Sequence, residues 1–142
     1  MTIEQIQKQI VDEFSGFFDW LEKYNYLIEL GKELTPLPDE MKTDRNLIQG
    51  CQSRVWLYAQ FDNGLIDFKA DSDAIITKGI VGLLIRVFSH HTPDEILNAD
   101  ISFIDQIGLK ENLSPTRSNG LVAMIKQIKM YALAYKAKME KL

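Results

Sequence analysis

Only one cysteine, Cys51, occurs in the 142 residues. That scarcity excludes an intrachain disulfide, a paired-thiol redox motif and any zinc or iron–sulfur cage built wholly of cysteine, so a partner's sulfur has to complete any sulfur chemistry of this chain. Long apolar runs are missing as well. The longest, Gly79 to Ile85, is far too short to cross a bilayer, and Met1-Thr2-Ile3-Glu4-Gln5 has neither a basic segment nor an extended apolar one of the secretory kind. Positive charge is in deficit: 16 lysines and arginines against 20 acidic residues give a formal net charge of −4, which argues against nucleic-acid binding, since phosphate binding draws on clustered cations. There is no glycine-rich phosphate loop and no GxSxG nucleophile elbow. These absences predict a cytoplasmic protein whose thiol is kept reduced and whose partner is a protein or a small molecule.

With 46% hydrophobic and 25% charged residues, the chain can bury a sizeable core as one domain, residues 1–142. Ile3, Ile6, Ile10, Phe14 and Phe17 keep helical spacing behind a Thr2/Gln5 capping box, and Ser15-Gly16 is expected to break or bend that helix. A second helix is expected from about Phe17, with Leu21, Tyr24, Leu27 and Ile28 inward and Gly31 as its C-terminal cap. Pro36 and Pro38 make the next stretch a loop. After Cys51 the period becomes two: Val55, Leu57, Ala59 and Phe61 share a face, Asp62-Asn63-Gly64 supplies a turn, and Leu65 to Ala70 returns as the partner strand of a β-hairpin. Asp71-Ser72-Asp73 suits the N-terminus of a helix that runs to Phe88 and is apolar nearly all round, with Gly79 and Gly82 admitting a close neighbour. Thr92-Pro93-Asp94-Glu95 and Ser114-Pro115 are two further helix starts. The last helix carries Leu121, Met124, Ile125, Ile128, Ala132, Tyr135 and Met139 inward, and its terminal lysines suit the negative end of the helix dipole.

Three constellations could carry chemistry. Cys51 stands between Gly50, which lets the backbone turn, and the polar or cationic Gln52, Ser53 and Arg54; nucleophile, sulfur carrier and inert filler are all open on these residues alone. Arg117 lies near a helix start, where a positive charge is mildly unfavourable, so a specific task such as holding an anion or favouring a thiolate would explain it. His90-His91 with Asp94 and Glu95 do not form a metal site by pattern, because adjacent histidines point different ways and no further ligand cluster is visible.

The run Asn46-Leu47-Ile48-Gln49-Gly50-Cys51-Gln52-Ser53-Arg54-Val55-Trp56 and the run Leu113-Ser114-Pro115-Thr116-Arg117-Ser118-Asn119-Gly120-Leu121 are long and unusual in composition. Together with Trp20, Glu22-Lys23-Tyr24, Ile28-Glu29-Leu30-Gly31, Asp71-Ser72-Asp73-Ala74, Lys78-Gly79 and Thr92-Pro93, they occur in the order found in the SufE family of sulfur-acceptor proteins, which this chain resembles from about Trp20 to Ile128. Arg54 departs from the glutamine of some relatives, and the first helix and lysine-rich end match poorly.

The resemblance implies an α+β fold, a small antiparallel sheet covered by helices as in SufE and IscU-type proteins, with Cys51 on a loop at its edge. It also implies a function in iron–sulfur cluster assembly. Cys51 would accept sulfur as a persulfide from a SufS-like cysteine desulfurase, stimulate that enzyme, and pass the sulfur to a downstream cluster scaffold. Gly50, Gln52, Ser53 and Arg117 would support the loop or the anion. Such a protein is a sulfur-transfer accessory rather than a stand-alone enzyme. It needs no metal and no cofactor of its own, the pyridoxal phosphate belonging to the desulfurase. A CsdE-type partnership with a different desulfurase, a scaffold or interaction domain with a structural Cys51, and a homodimer stay open.

Overall fold

The Thr2 hydroxyl accepts from the Gln5 amide at 3.1 Å while the Gln5 side chain accepts from the Thr2 amide at 2.9 Å, and this closed cap starts α1 (Ile3–Ser15) as its sequence predicts. The computed structural model describes residues 1–140, so that Lys141, one of the terminal lysines, lies outside the described residues. Helix α2 (Trp20–Glu33) begins later than the expected Phe17, because the Asp19 carboxylate accepts from the Glu22 amide at 3.0 Å and sets the first turn there. The phase of the helix follows from that cap. Trp20, Tyr24, Leu27 and Gly31 form its inner stripe, and Leu21, expected inside, points to solvent.

Gly31 is not the C-terminal cap. It is buried within α2, which ends when the Leu34 amide donates to the Gly31 carbonyl at 3.2 Å. The reason for glycine there is α3 (Ile75–Phe88): a methyl group on Gly31 would stand 3.0 Å from the Gly79 nitrogen, and one on Gly79 only 2.1 Å from the Leu27 carbonyl oxygen. The two helices therefore cross with backbones touching. Ile80, Val81, Leu83, Leu84, Val87 and Phe88 are buried along α3, which is the spine the apolar run predicts.

Strands β1 (Val55–Asp62) and β2 (Leu65–Ser72) pair antiparallel from Val55↔Ser72 to Asp62↔Leu65. Asn63 and Gly64, with φ of 53° and 80°, make the tight turn whose twist matches the strands. Val55, Leu57 and Ala59 face the core, whereas Phe61 is half-buried and stacks on Tyr135 with ring centroids 5.0 Å apart. Single bridges extend the hairpin on both sides, Leu47 to Trp56 and His91 to Ile66. Short helices α4 (Pro93–Leu97) and α5 (Phe103–Gln106) lead to the long α6 (Pro115–Glu140). Its buried stripe runs from Gly120 to Ala132, while Tyr135 is half-buried and Met139 is exposed, against expectation. A helix of 26 residues spans roughly 39 Å, more than the eight-residue strands can cover, so its last turns overhang the core.

Candidate functional site

A clamp at one end holds the loop that carries Cys51. The Ile48 amide donates to the Val55 carbonyl at 2.8 Å beside the Leu47–Trp56 bridge, so the chain leaves the sheet edge at Gln49 and returns to it at Arg54. Gly50 turns with φ of 92°, a left-handed conformation that favours glycine, and a methyl group on it would meet the Ala123 side chain of α6 at 3.3 Å. At the returning end, the Arg54 amide donates to the Asp73 carboxylate at 3.0 Å, and the Arg54 carbonyl accepts from the Ser72 hydroxyl at 2.8 Å and the Asp73 amide at 3.3 Å.

Asp71-Ser72-Asp73 thus do not cap a helix through their carboxylates. The helix N-cap is Ala74, with no side-chain bond of its own, because pairing with β1 keeps Asp71 and Ser72 in the strand. Asp71 is buried and accepts from the Leu37 amide at 3.2 Å and the Ser72 amide at 2.8 Å, with Lys42 at 3.4 Å and Lys78 at 3.3 Å. Burial acts to raise its carboxyl, yet the two amides and Lys78 together outweigh that and hold it below the usual carboxylate value. The proline loop, the sheet edge and α3 are joined at this carboxylate.

Cys51 itself is half-buried, and its Sγ donates to the Gly120 carbonyl of α6 at 3.7 Å. A methyl group on Gly120 would lie 3.5 Å from that sulfur, so α6 closes one side of the thiol by direct contact. On the open side is a cavity of about 320 Å³. Thr77, Ile80, Gly120 and Met124 form its buried wall; Gln52, Ser114, Thr116 and Arg117 are exposed at its mouth, with Ser53 between. The Ser114 hydroxyl accepts from the Arg117 amide at 3.3 Å, which starts α6 at this mouth as the Ser-Pro signal predicts. Burial alone pushes the Cys51 thiol above its ordinary value, which favours its protonated form.

Cys51, Gln52, Ser53 and Arg117, singled out in the sequence, line this one cavity, and Gly50 lies at the far side of the loop against Ala123. His90 and His91 are elsewhere: His90 pairs with Asp67 at 3.1 Å, and buried His91 has its ring nitrogens 2.9 Å from the Ser89 carbonyl and 3.1 Å from the Met1 carbonyl. Thr77 carries no sequence signal beyond a helical position, and the loop-holding part of Ser72 and Asp73 is hidden in the sequence behind a plausible capping pattern. Among the described residues no group of three or more histidine, cysteine or acidic side chains is placed to hold a metal ion, and no helix is long and apolar enough to cross a membrane.

The fold and site define an α+β domain that presents a lone thiol on a clamped loop against a polar-mouthed cavity. Residues 8–132 match the family described as SufE, Fe-S metabolism associated domain, and the chain belongs to that family. A solution structure of a hypothetical protein from Thermus thermophilus shares the fold, with a TM-score of 0.75 and 21% identity over 91% of this chain and 94% of that one.

Proposed function

We propose that Cys51 is a persulfide acceptor: it takes sulfane sulfur from a pyridoxal-phosphate cysteine desulfurase and passes it on for iron–sulfur cluster assembly, stimulating the desulfurase as it does so. What supports this most is the placement of the chain's lone thiol on a loop anchored through Ile48 and Arg54, beside a cavity able to receive an added atom. In the transfer, the Cys51 thiolate attacks the outer sulfur of the donor persulfide. A sulfur–sulfur bond to Cys51 forms as the donor's breaks, and the donor cysteine leaves as a thiolate, so nothing is oxidised or reduced overall.

Two physical requirements follow. The thiol must lose a proton that burial favours, and its sulfur must leave the Gly120 contact to reach a second protein. An outward swing of the loop on docking meets both, because exposure to water or to a cationic partner surface lowers the thiol's proton affinity. The pyridoxal phosphate belongs to the desulfurase in this scheme, and this chain supplies the acceptor sulfur, its loop and its cavity.

The deciding experiment is intact mass spectrometry of the protein after incubation with a cysteine desulfurase and L-cysteine. The expected result is a gain of one sulfur atom on Cys51. Full stimulation of desulfurase turnover by Cys51→Ser, with no sulfur found on the wild-type protein, would replace the relay by a purely allosteric interaction domain. Comparing SufS-like with CsdA-like desulfurases in the same assay identifies the cognate donor.

A further inference from the structure

Thr77 is 7% exposed, lies in the first turn of α3 and lines the Cys51 cavity. Its hydroxyl has no hydrogen-bond partner among the described residues. Among the described residues every side-chain nitrogen or oxygen that is wholly sealed from solvent does have one, so this hydroxyl is not sealed, and the cavity is the open space that its residue lines. Threonine in a helix commonly settles its hydroxyl on the carbonyl one turn back, and here that bond is not made. Valine would fill the same space without a polar group to satisfy. The other polar side chains around the cavity, Gln52, Ser53, Ser114, Thr116 and Arg117, belong to exposed or half-exposed residues. Thr77 is thus the one buried residue of the cavity wall with a side-chain hydrogen-bond donor to offer, Cys51 being half-buried.

What such a donor would serve follows from the thiol's own surroundings. Cys51 as a thiol is matched to an acceptor, the Gly120 carbonyl. Once it carries a second sulfur, the requirement reverses: an outer persulfide sulfur that bears negative charge has no hydrogen to give and needs a donor. That sulfur extends about 2 Å beyond Sγ. It cannot go toward Gly120, where the wall is already in contact, and the room beside it is the cavity of about 320 Å³ that Thr77 lines.

We propose that the Thr77 hydroxyl is the hydrogen-bond donor for the outer sulfur of a Cys51 persulfide drawn into this cavity. The inference rests on the persulfide-acceptor reading and deepens it by naming the group that holds the cargo. No covalent bond is made or broken in this step: the loaded loop closes, and a hydroxyl without a protein partner acquires one. Sulfur held there is turned away from reductants and from wrong acceptors until a partner draws the loop out.

The test uses the full chain loaded with inorganic polysulfide, so that it does not depend on any desulfurase. After removal of excess polysulfide, loss of the added sulfur to dithiothreitol or cyanide is followed by intact mass for wild type, Thr77→Val and Thr77→Ser. The expected result is loss roughly ten- to a hundredfold faster in Thr77→Val, the scale of one hydrogen bond to an anionic acceptor, with Thr77→Ser close to wild type. Alkylation of the unloaded thiol should be the same in all three, because the hydroxyl does not bond the thiol, and thermal unfolding checks that each variant is folded. Equal rates of sulfur loss in the three folded proteins overturn the proposal, as does failure of serine to restore the wild-type rate. A wild-type protein that holds polysulfide-derived sulfur but receives none from a desulfurase with L-cysteine sinks the relay instead, so the two failures are distinguishable.

Discussion

Replacing Gly50 by alanine should open the Cys51 loop, and the structure says by roughly how much. The residue sits at φ of 92°, where a side chain costs about 1–2 kcal/mol, and its new methyl group would meet the Ala123 methyl at 3.3 Å, close enough that one of them must move by a few tenths of an ångström. The two effects together come to about 1–3 kcal/mol. The strain is relieved most directly by lifting the loop from α6, which also breaks the 3.7 Å contact of Cys51 with Gly120. If opening governs thiol access, a destabilisation of about 1–3 kcal/mol should speed Cys51 alkylation about 5- to 160-fold at fixed pH. Urea unfolding should show a smaller loss, since a loop that peels away locally burdens global stability only in part. A double-mutant cycle separates the causes. In an Ala123→Gly background the steric component vanishes and the backbone component remains, so the effect of Gly50→Ala on alkylation should shrink by about 0.5–1 kcal/mol. An alkylation rate unchanged by Gly50→Ala in the folded protein would refute the idea that this contact shelters the thiol.

Three further outcomes follow from the same contacts. Gly79→Ala should cost more than about 3 kcal/mol in urea unfolding, because its methyl group would overlap the Leu27 carbonyl at 2.1 Å and only separation of α2 from α3 relieves it. Asp71→Asn should lose about 1–3 kcal/mol at neutral pH. Asp71 has a depressed folded-state value, so its contribution is fully present above the ordinary carboxylate range and fades as pH falls through the lower folded value; the gap between wild type and variant should narrow in strong acid, as pH-dependent denaturation curves would show. Iodoacetamide labelling of Cys51 against pH should have its midpoint above that of an unstructured peptide thiol, since burial raises the folded value; a midpoint at or below the peptide's would contradict the sheltered, protonated resting state.

Local chemistry is readable wherever a few neighbouring residues decide the outcome. The Thr2/Gln5 and Thr92/Glu95 boxes, the Asn63-Gly64 turn and the period-two strand that begins at Val55 are legible because each needs only a hydrogen bond or a backbone angle within one short segment. Cys51 stands out as the lone thiol, and the runs around Cys51 and Arg117 carry the family resemblance that the family match bears out. Other features depend on which segments meet. Gly31 reads as a helix end until α3 is set against it, Asp71-Ser72-Asp73 reads as a cap until pairing with Val55 turns it toward the Cys51 loop, and Met139 continues a helical stripe beyond the core that could cover it. Thr77, Gly120 and Cys51 are distant in sequence and share one cavity only because α3 and α6 pack against each other. Sequence by itself determined most of the elements and the presence of a lone thiol, since those follow from bond geometry and side-chain type; the tertiary structure decided what surrounds that sulfur, because contact between remote segments has no signature in either one alone.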